Sequence, residues 1–442
     1  MTVARDRAKS EQSKRDDDVL LLLARLSMRR TRGQRKKAYL LAVLASSLRE
    51  RLRFDLHKRR ERTVISWPAR VAALSERQFV RRYRMSKAAF HGLADQIREE
   101  VLVKLAQRTQ GRVTIGVPVE VLLSMTIRWL AGGAYVDIAD LHGVSETCFW
   151  NMLPPLMESI ANLEGITPAF PMRDEAALQE IADGFAKLDK SGIFTGCVGA
   201  LDGLIIEIIK PALRDCANPA NYRNRKEMWA VTAQVMCDHK RRITFGAVNG
   251  IGSTCDSVAW ECTELAQQIA AGNLPARFYI SADAAYGSHD QIVVPWCGTS
   301  LPENKDAFNF FQSSQRIEVE CTIGLLKARW GILWRPLRVH LDKVKLVVAT
   351  CMALHNYCID MGEETNPMRV GISVVRNEND AQRGDLMQPY MQSDGFAEST
   401  AGRGRMHVGH APSSHRNAMT ELITDEEFIR PARDARFGRG SA

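Results

Sequence analysis

Residues 193–209 read IFTGCVGALDGLIIEII. Two runs rich in apolar and β-branched residues meet at Asp202-Gly203, a composition that favours extended strand and places an acid where the first run ends. Working outward, residues 229–237 and 243–248 are two more β-rich runs, separated by the turn Asp238-His239-Lys240-Arg241. With the first run they predict a meander of three antiparallel strands. Residues 255–271 read as a helix, 278–282 as a short strand ending at Asp283, and 292–296 as another strand. A long helix is expected over 313–332 and a second, apolar one over 343–361. The order β-β-β-α-β-β-α predicts an α/β unit, a mixed sheet with helices on its faces.

Upstream, the period is helical. Ser86 is a plausible N-cap for the run beginning Lys87-Ala88-Ala89-Phe90, and helices are expected over 119–130, 135–141 and 146–160. The turn His142-Gly143-Val144-Ser145 before the last of these gives the spacing of a helix-turn-helix, so 66–165 reads as an all-α, helix-turn-helix-like domain. A plain three-helix bundle fits the same pattern, and Phe149, Trp150, Met152 and Leu153 make the would-be recognition helix unusually apolar. Residues 1–65 are dense in charge, with Arg29-Arg30 and Arg35-Lys36-Lys37 among the runs, and read as a basic, partly disordered arm. Residues 363–415, rich in Gly, Ser, Asn and Asp, read as a disordered linker, and 416–442 as a short helix and tail.

At roughly 100 to 200 residues per domain, 442 residues hold two or three folded units. With 45% apolar and 25% charged residues, neither a fully disordered nor a fibrous chain fits. Sixty Lys and Arg against 51 Asp and Glu leave a formal +9, which favours polyanionic partners such as nucleic acid or an acidic membrane. No membrane span is expected. The most apolar stretch, 346–359, is interrupted by Thr350, His355 and Asn356, and falls short of the roughly 18 to 20 apolar residues a span requires. The N-terminal segment lacks the apolar core of a secretory signal, so an intracellular protein is expected. Ten cysteines without a C-x-x-C pair argue against a zinc module and a disulfide framework.

Three acids stand out by position: Asp202 and Asp283 at strand ends, and Glu320 within the long helix. Carboxylates so placed can converge on two divalent cations, Mg²⁺ or Mn²⁺, the arrangement that cleaves phosphodiesters. On the same helix Arg316, Glu320 and Lys327 share one side, while Val319, Ile323, Leu326 and Trp330 line a face that can bury. Glu318 points away from Glu320 and reads as surface or structural. Asp256 is a secondary candidate for the metal site, since an acid opening a helix is also stabilised by the helix dipole. Arg225 and Lys226, together with Arg316, Lys327 and Arg329, are candidate DNA contacts. His355 and Asn356, on an apolar helix, read as satisfied core polar groups.

The segment from about 196 to 360 resembles the catalytic domain of PIF/Harbinger-type transposases and their domesticated nuclease relatives. The words that carry the resemblance are Gly199-Ala200-Leu201-Asp202-Gly203, Asn221-Tyr222-Arg223-Asn224-Arg225-Lys226, Gly252-Ser253-Thr254-Cys255-Asp256-Ser257 and Ser281-Ala282-Asp283-Ala284-Ala285-Tyr286. Two more follow: the run 316–330, similar to R-x-x-x-E-x-x-F-G-x-L-K-x-R-F, and Leu354-His355-Asn356-Tyr357-Cys358. They occur in order, and 36 residues separate Asp283 from Glu320. Cys255, Ala282, Ala284 and Ile323 depart from the usual His, Gly, Ser and Phe, but no carboxylate is lost.

The resemblance implies an RNase H-like fold over 190–362 with a catalytic, metal-binding DDE triad at Asp202, Asp283 and Glu320. It further implies DNA cleavage with strand transfer, action in the nucleus on double-stranded DNA as a homo-oligomer, and a Myb/SANT-like partner protein. Two other readings stay open: a domesticated, catalytically silent DNA-binding or adaptor protein, and a nuclease of RNA-DNA hybrids.

Overall fold

The computed structural model describes residues 63–109, 117–189, 191–298, 300–363 and 413–425. Nearly all of the expected basic arm and of the linker therefore lies outside the described residues. From Val64 onward those residues belong to one compact unit.

Five strands make one sheet: β1 (Cys197–Glu207), β2 (Ala230–Cys237), β3 (Ile243–Ile251), β4 (Tyr279–Ala282) and β5 (Ile292–Val293), in the order β3-β2-β1-β4-β5. β1, β2 and β3 form the expected antiparallel meander, whereas β4 pairs parallel to β1, and β5 parallel to β4. The two runs that meet at Asp202-Gly203 are a single strand. β2, paired on both sides, is buried at all its positions, which explains why AVTAQVMC is apolar or small almost throughout. The result is a mixed α/β structure with a five-stranded sheet flanked by helices.

The front helices are α1 (Trp67–Ala72), α2 (Glu76–Tyr83), α3 (Lys87–Thr109), α4 (Val119–Leu130), α5 (Tyr135–His142), α6 (Glu146–Ala161) and α7 (Glu175–Ala186). A capping box between Ser75 and Gln78 starts α2. Trp67 stacks on Phe90 at 4.9 Å and meets Tyr83 edge-on at 5.6 Å, which locks α1, α2 and α3 together. Gly143 adopts φ 67°, the left-handed conformation that ends α5, and the Ser145 side chain caps α6 by accepting from Cys148 N.

The turn and the cap thus fall where the sequence placed them, but α6 does not present a basic, exposed face. Phe149, Met152, Leu153, Leu156, Met157 and Ile160 are all buried, and the sequence ETCFWNMLPPLMESIA contains no Lys or Arg. It packs against α3, α4 and the late helix α11 (Leu341–Asp360), as a core element would.

Two helical expectations are corrected. The run 255–271 is two helices, α8 (Asp256–Glu261) and α9 (Glu264–Ala270), because the Thr263 side chain accepts from Ala266 N and caps a new start. The long helix α10 (Glu303–Arg329) begins ten residues before 313, directly after Pro302, with Glu303 and Asp306 in its first turn. Its face at Val319, Ile323, Leu326 and Trp330 is buried as expected. The last helix, α12 (Ser414–Asp425), lies on α10 with Met419 and Ile423 buried, and Trp296 Nε1 donates to Thr420 Oγ1 at 3.1 Å.

The apolar helix α11 carries the words His355-Asn356-Tyr357 as clamps. Asn356 accepts from Ile243 N and donates to Ile243 O, both at 2.8 Å, and donates to Ile166 O at 3.0 Å. His355 Nε2 contacts Arg241 O at 2.8 Å, and the Tyr357 hydroxyl donates to Ala89 O at 2.7 Å. Asn356 is a satisfied core group, whereas His355 is satisfied at Nε2 and leaves its buried Nδ1 without a hydrogen-bond partner among the described residues, and one helix turn ties the β2–β3 turn to the front helices.

Candidate active site

β1 and β4 run parallel with Leu201 opposite Ala282, so the next residue on each, Asp202 and Asp283, stand side by side. Two backbone donors orient them: Gly203 N donates to Asp202 Oδ1 at 2.7 Å and Ala285 N to Asp283 Oδ1 at 2.8 Å. The second acid thereby caps the 3₁₀ turn Ala284–Tyr286. Burial, then the charge of Asp283, pushes the Asp202 carboxyl up to about 7; Glu320 adds to the rise, while the Gly203 amide and Arg316 oppose it. Asp283, Glu320 and Arg316 are thus the charges that act on Asp202 at the middle of β1.

Glu320 reaches this place because α10 is fixed in register by two buried amides. Gln312 Nε2 donates to Ser281 Oγ at 2.9 Å and Ala282 O at 3.0 Å, next to Asp283. Gln315 Nε2 donates to Phe194 O at 2.9 Å and its Oε1 accepts from the Tyr279 hydroxyl at 3.1 Å. Positions 312, 315, 319 and 326 form the buried stripe, and 316 and 320 sit on its flank, facing the strand ends. Arg316 and Glu320 are ion-paired at 2.6 Å, one turn apart.

Asp256, at the start of α8, packs over Gly203, and a Cβ at 203 would collide with its carboxylate. This is what the glycine in Asp202-Gly203 is for. Burial and the charge of Asp283 raise Asp256 above the usual carboxylate range, while Gln234 and Arg225 oppose the rise. The Tyr286 hydroxyl donates to Gln234 Oε1 at 2.6 Å, and Gln234 Nε2 reaches Asp256 Oδ1 at 3.5 Å. Gln234, Gln312, Gln315 and Tyr286 had no role assigned from sequence.

The remaining candidates separate. Arg225 and Lys226 are exposed, Arg225 beside Asp256. Lys327 is half-buried next to Glu207 and Lys226; its ammonium lies 5.8 Å from the Trp334 ring, and burial lowers its pKa. Arg329 is a correction. It is 1% exposed, beside Cys358, with Arg84 near it, so it belongs to the core and cannot touch DNA. The helix face explains this: 329 follows the buried stripe through 322 and 326. Glu318 is buried too, paired with Arg241 at 2.7 Å, and is structural rather than surface.

Residues 201–356 match the family described as DDE superfamily endonuclease. The chain carries a DDE superfamily endonuclease domain. This endonuclease domain contains Asp202, Asp283 and Glu320, and ends within the His355-Asn356 clamp. HARBI1 of Rattus norvegicus, whose name marks it as a candidate nuclease, is 23% identical over 263 residues, 58% of this chain and 72% of that protein. The human protein of the same name is 22% identical over 271 residues, 60% of this chain and 74% of its own length. An ALP1-like protein of Arabidopsis thaliana is 28% identical over 208 residues, 42% of this chain and 48% of that protein. No solved structure matches the chain.

DDE endonucleases use divalent metal ions, and the donor set here fits one. Asp202, Asp283 and Glu320 offer only carboxylate oxygens, the ligands hard cations take, and their mutual repulsion is what a cation relieves. Among the described residues, no three His, Cys, Asp or Glu side chains are already gathered tightly enough to enclose an ion. Glu320 is turned to Arg316.

Proposed function

We propose that this protein is a metal-dependent DNA endonuclease or transposase of the Harbinger type, with Asp202, Asp283 and Glu320 as its catalytic acids. The observation that carries the reading is the register of β1 and β4, which aligns Asp202 with Asp283 one step beyond the Leu201–Ala282 pair. With one oxygen of each aspartate held by a backbone amide, the other, Oδ2, is left for ligand. Glu320 completes the set when it leaves Arg316. Two Mg²⁺ or Mn²⁺ ions, when bound, supply water activation and stabilise the leaving 3′-oxygen of a phosphodiester. Asp256 holds the rim of the site closed against Gly203 rather than acting as a ligand of first resort. Arg225 and Lys226 line the exposed approach, where phosphate contacts bring duplex DNA to the acids. Strand transfer by a freed 3′-hydroxyl, a homo-oligomeric active form, a nuclear location and a Myb/SANT-like partner complete the proposal.

The test is cleavage of supercoiled plasmid by wild type and Glu320→Gln, each with Mg²⁺, with Mn²⁺ and with chelator. Metal-dependent nicking that the variant loses supports the reading. A wild type that binds duplex DNA with metal present but never cuts it, even at the termini of its own element, overturns the reading in favour of a silent DNA-binding relative. Preference for an RNA-DNA hybrid over duplex DNA overturns the choice of substrate.

A further inference from the structure

Three arginines converge on the front helices without an acidic partner among the described residues. Arg70 near the end of α1, Arg82 in α2 and Arg128 in α4 are each partly buried. α2 packs against both α3 and α4, and Trp67 at the start of α1 packs on Tyr83, so the three helix faces meet around one aromatic cluster. The buried Tyr83 hydroxyl stands beside Arg128, and the Nε atoms of Arg70 and Arg128 are buried without a hydrogen-bond partner among the described residues. Arg82 spends one donor, Nη1, on Gln78 O at 2.9 Å. Burial lowers the Arg128 pKa, and Arg70 and Arg82 push the same way; Arg128 and Arg70 likewise add to the burial that lowers His142.

By contrast, Arg98, on α3 of the same region, is paired at 2.8 Å with both Asp95 and Glu120. None of the three arginines has a carboxylate within 4 Å among the described residues. Cations held together with donors to spare repel one another, and an anion relieves that repulsion. Guanidinium forks match the oxygens of phosphate in pairs.

We propose that Arg70, Arg82 and Arg128 form a phosphate-binding site for the backbone of duplex DNA, built on the front helices apart from the catalytic acids. It takes over the binding role that the spacing of α6 suggested and its burial denies. Only the identity of the anion, a DNA phosphodiester, rests on the functional reading above.

The experiment uses the full-length protein in chelator, so that no cleavage occurs. Wild type, Arg82→Gln/Arg128→Gln and the control Arg98→Gln are titrated against a labelled duplex at several salt concentrations, and each is melted with and without pyrophosphate. The expected result is at least tenfold weaker duplex binding by the double variant. Its log Kd against log salt slope should fall by about 2, since each phosphate contact contributes about 0.9. Arg98→Gln should match wild type, and pyrophosphate should raise the melting temperature of wild type but not of the double variant. Unchanged affinity and slope in the double variant overturn the inference and leave the nuclease reading standing. Loss of the pyrophosphate response alone makes this a site for a free phosphate compound and overturns the DNA assignment. A wild type that binds no duplex sinks the functional reading, and with it the assignment to DNA. Should the double variant melt early, Arg82→Gln alone, on a partly exposed side chain, carries the same comparison with half the change in slope.

Discussion

Asp202→Asn should make the metal-free protein more stable. The Asp202 carboxyl sits near pH 7 in the fold against an ordinary value of 3.8, because it is buried beside Asp283 and Glu320. A folded-state pKa above the unfolded one means the native state holds the proton more tightly, so stability falls as pH rises from 3.8 to 7 and the whole cost is present above 7. At about 1.4 kcal/mol per unit the full shift costs about 4 kcal/mol, and the solvent contact that Asp202 keeps cuts this to about 2. Asparagine keeps the oxygen that accepts from Gly203 N and carries no charge at any pH. In chelator at pH 8, the variant should therefore melt about 4 to 8 °C above wild type by circular dichroism. At pH 4.5, where wild type is mostly protonated at this position, about a quarter of that gain should remain. Adding Mg²⁺ should raise the wild-type midpoint and leave the variant nearly unmoved. The reasoning fails if the variant melts below wild type in chelator at pH 8, or if its advantage is the same at both pH values.

Other outcomes follow from the same geometry. Gly203→Ala should fold but displace Asp256 and with it the start of α8, lowering plasmid nicking about a hundredfold, whereas a wild-type rate would show that the close approach is immaterial. His142 and His355 are buried and held near pH 4, below the ordinary 6.5, so each opposes protonation in the fold. Their contribution is complete above pH 6.5 and is lost as pH falls toward 4, about 2 kcal/mol each by pH 5, and urea midpoints across that range would expose a flat profile as a refutation. Asn356→Ala should cost about 2 to 4 kcal/mol by removing three buried hydrogen bonds, measured by urea unfolding, with Mg²⁺ binding unaltered in whatever remains folded. Tyr286→Phe should leave the melting temperature near wild type while raising the Mg²⁺ concentration needed for nicking, because Gln234 loses the hydroxyl that aims it at Asp256.

Much of this was readable from residue order. Strand and helix periods located every strand of the sheet, and Asp283 lies where its strand stops, whereas Asp202, expected at a strand end, sits in the middle of β1, which continues to Glu207. The failures share one physical origin, that side-chain class says little about which tertiary surface claims an element. α6 has the spacing of a reading helix, yet its apolar residues were wanted by α3, α4 and α11. Arg329 was counted with the surface bases because it is charged, although the helical stripe through Thr322 and Leu326 carries it inward. The start of α10 was missed because residues 303–312 mix polar and aromatic side chains, and only the sheet shows that Gln312 is an inward-facing tether. The Gly203–Asp256 contact joins residues 53 positions apart, beyond the reach of any local pattern.

The docking of α12 bears on how the protein is made. β5, two residues long, is one edge of the sheet, and the residues opening α12 close over its approach, with Ser413 Oγ and His415 Nδ1 on Asp290 O and Ser414 N on Asp290 Oδ1. Arg416 lies 3.9 Å from the Trp296 ring, just past β5. This cover is supplied by residues that are synthesised only after every strand of the sheet. Until then the nascent sheet presents an unguarded strand and a bare tryptophan, the surfaces on which chains stick to one another. A fragment cut after α11 would carry that exposure permanently, so a fragment that keeps this edge covered has to extend through residue 425 even though the matched domain ends at 356.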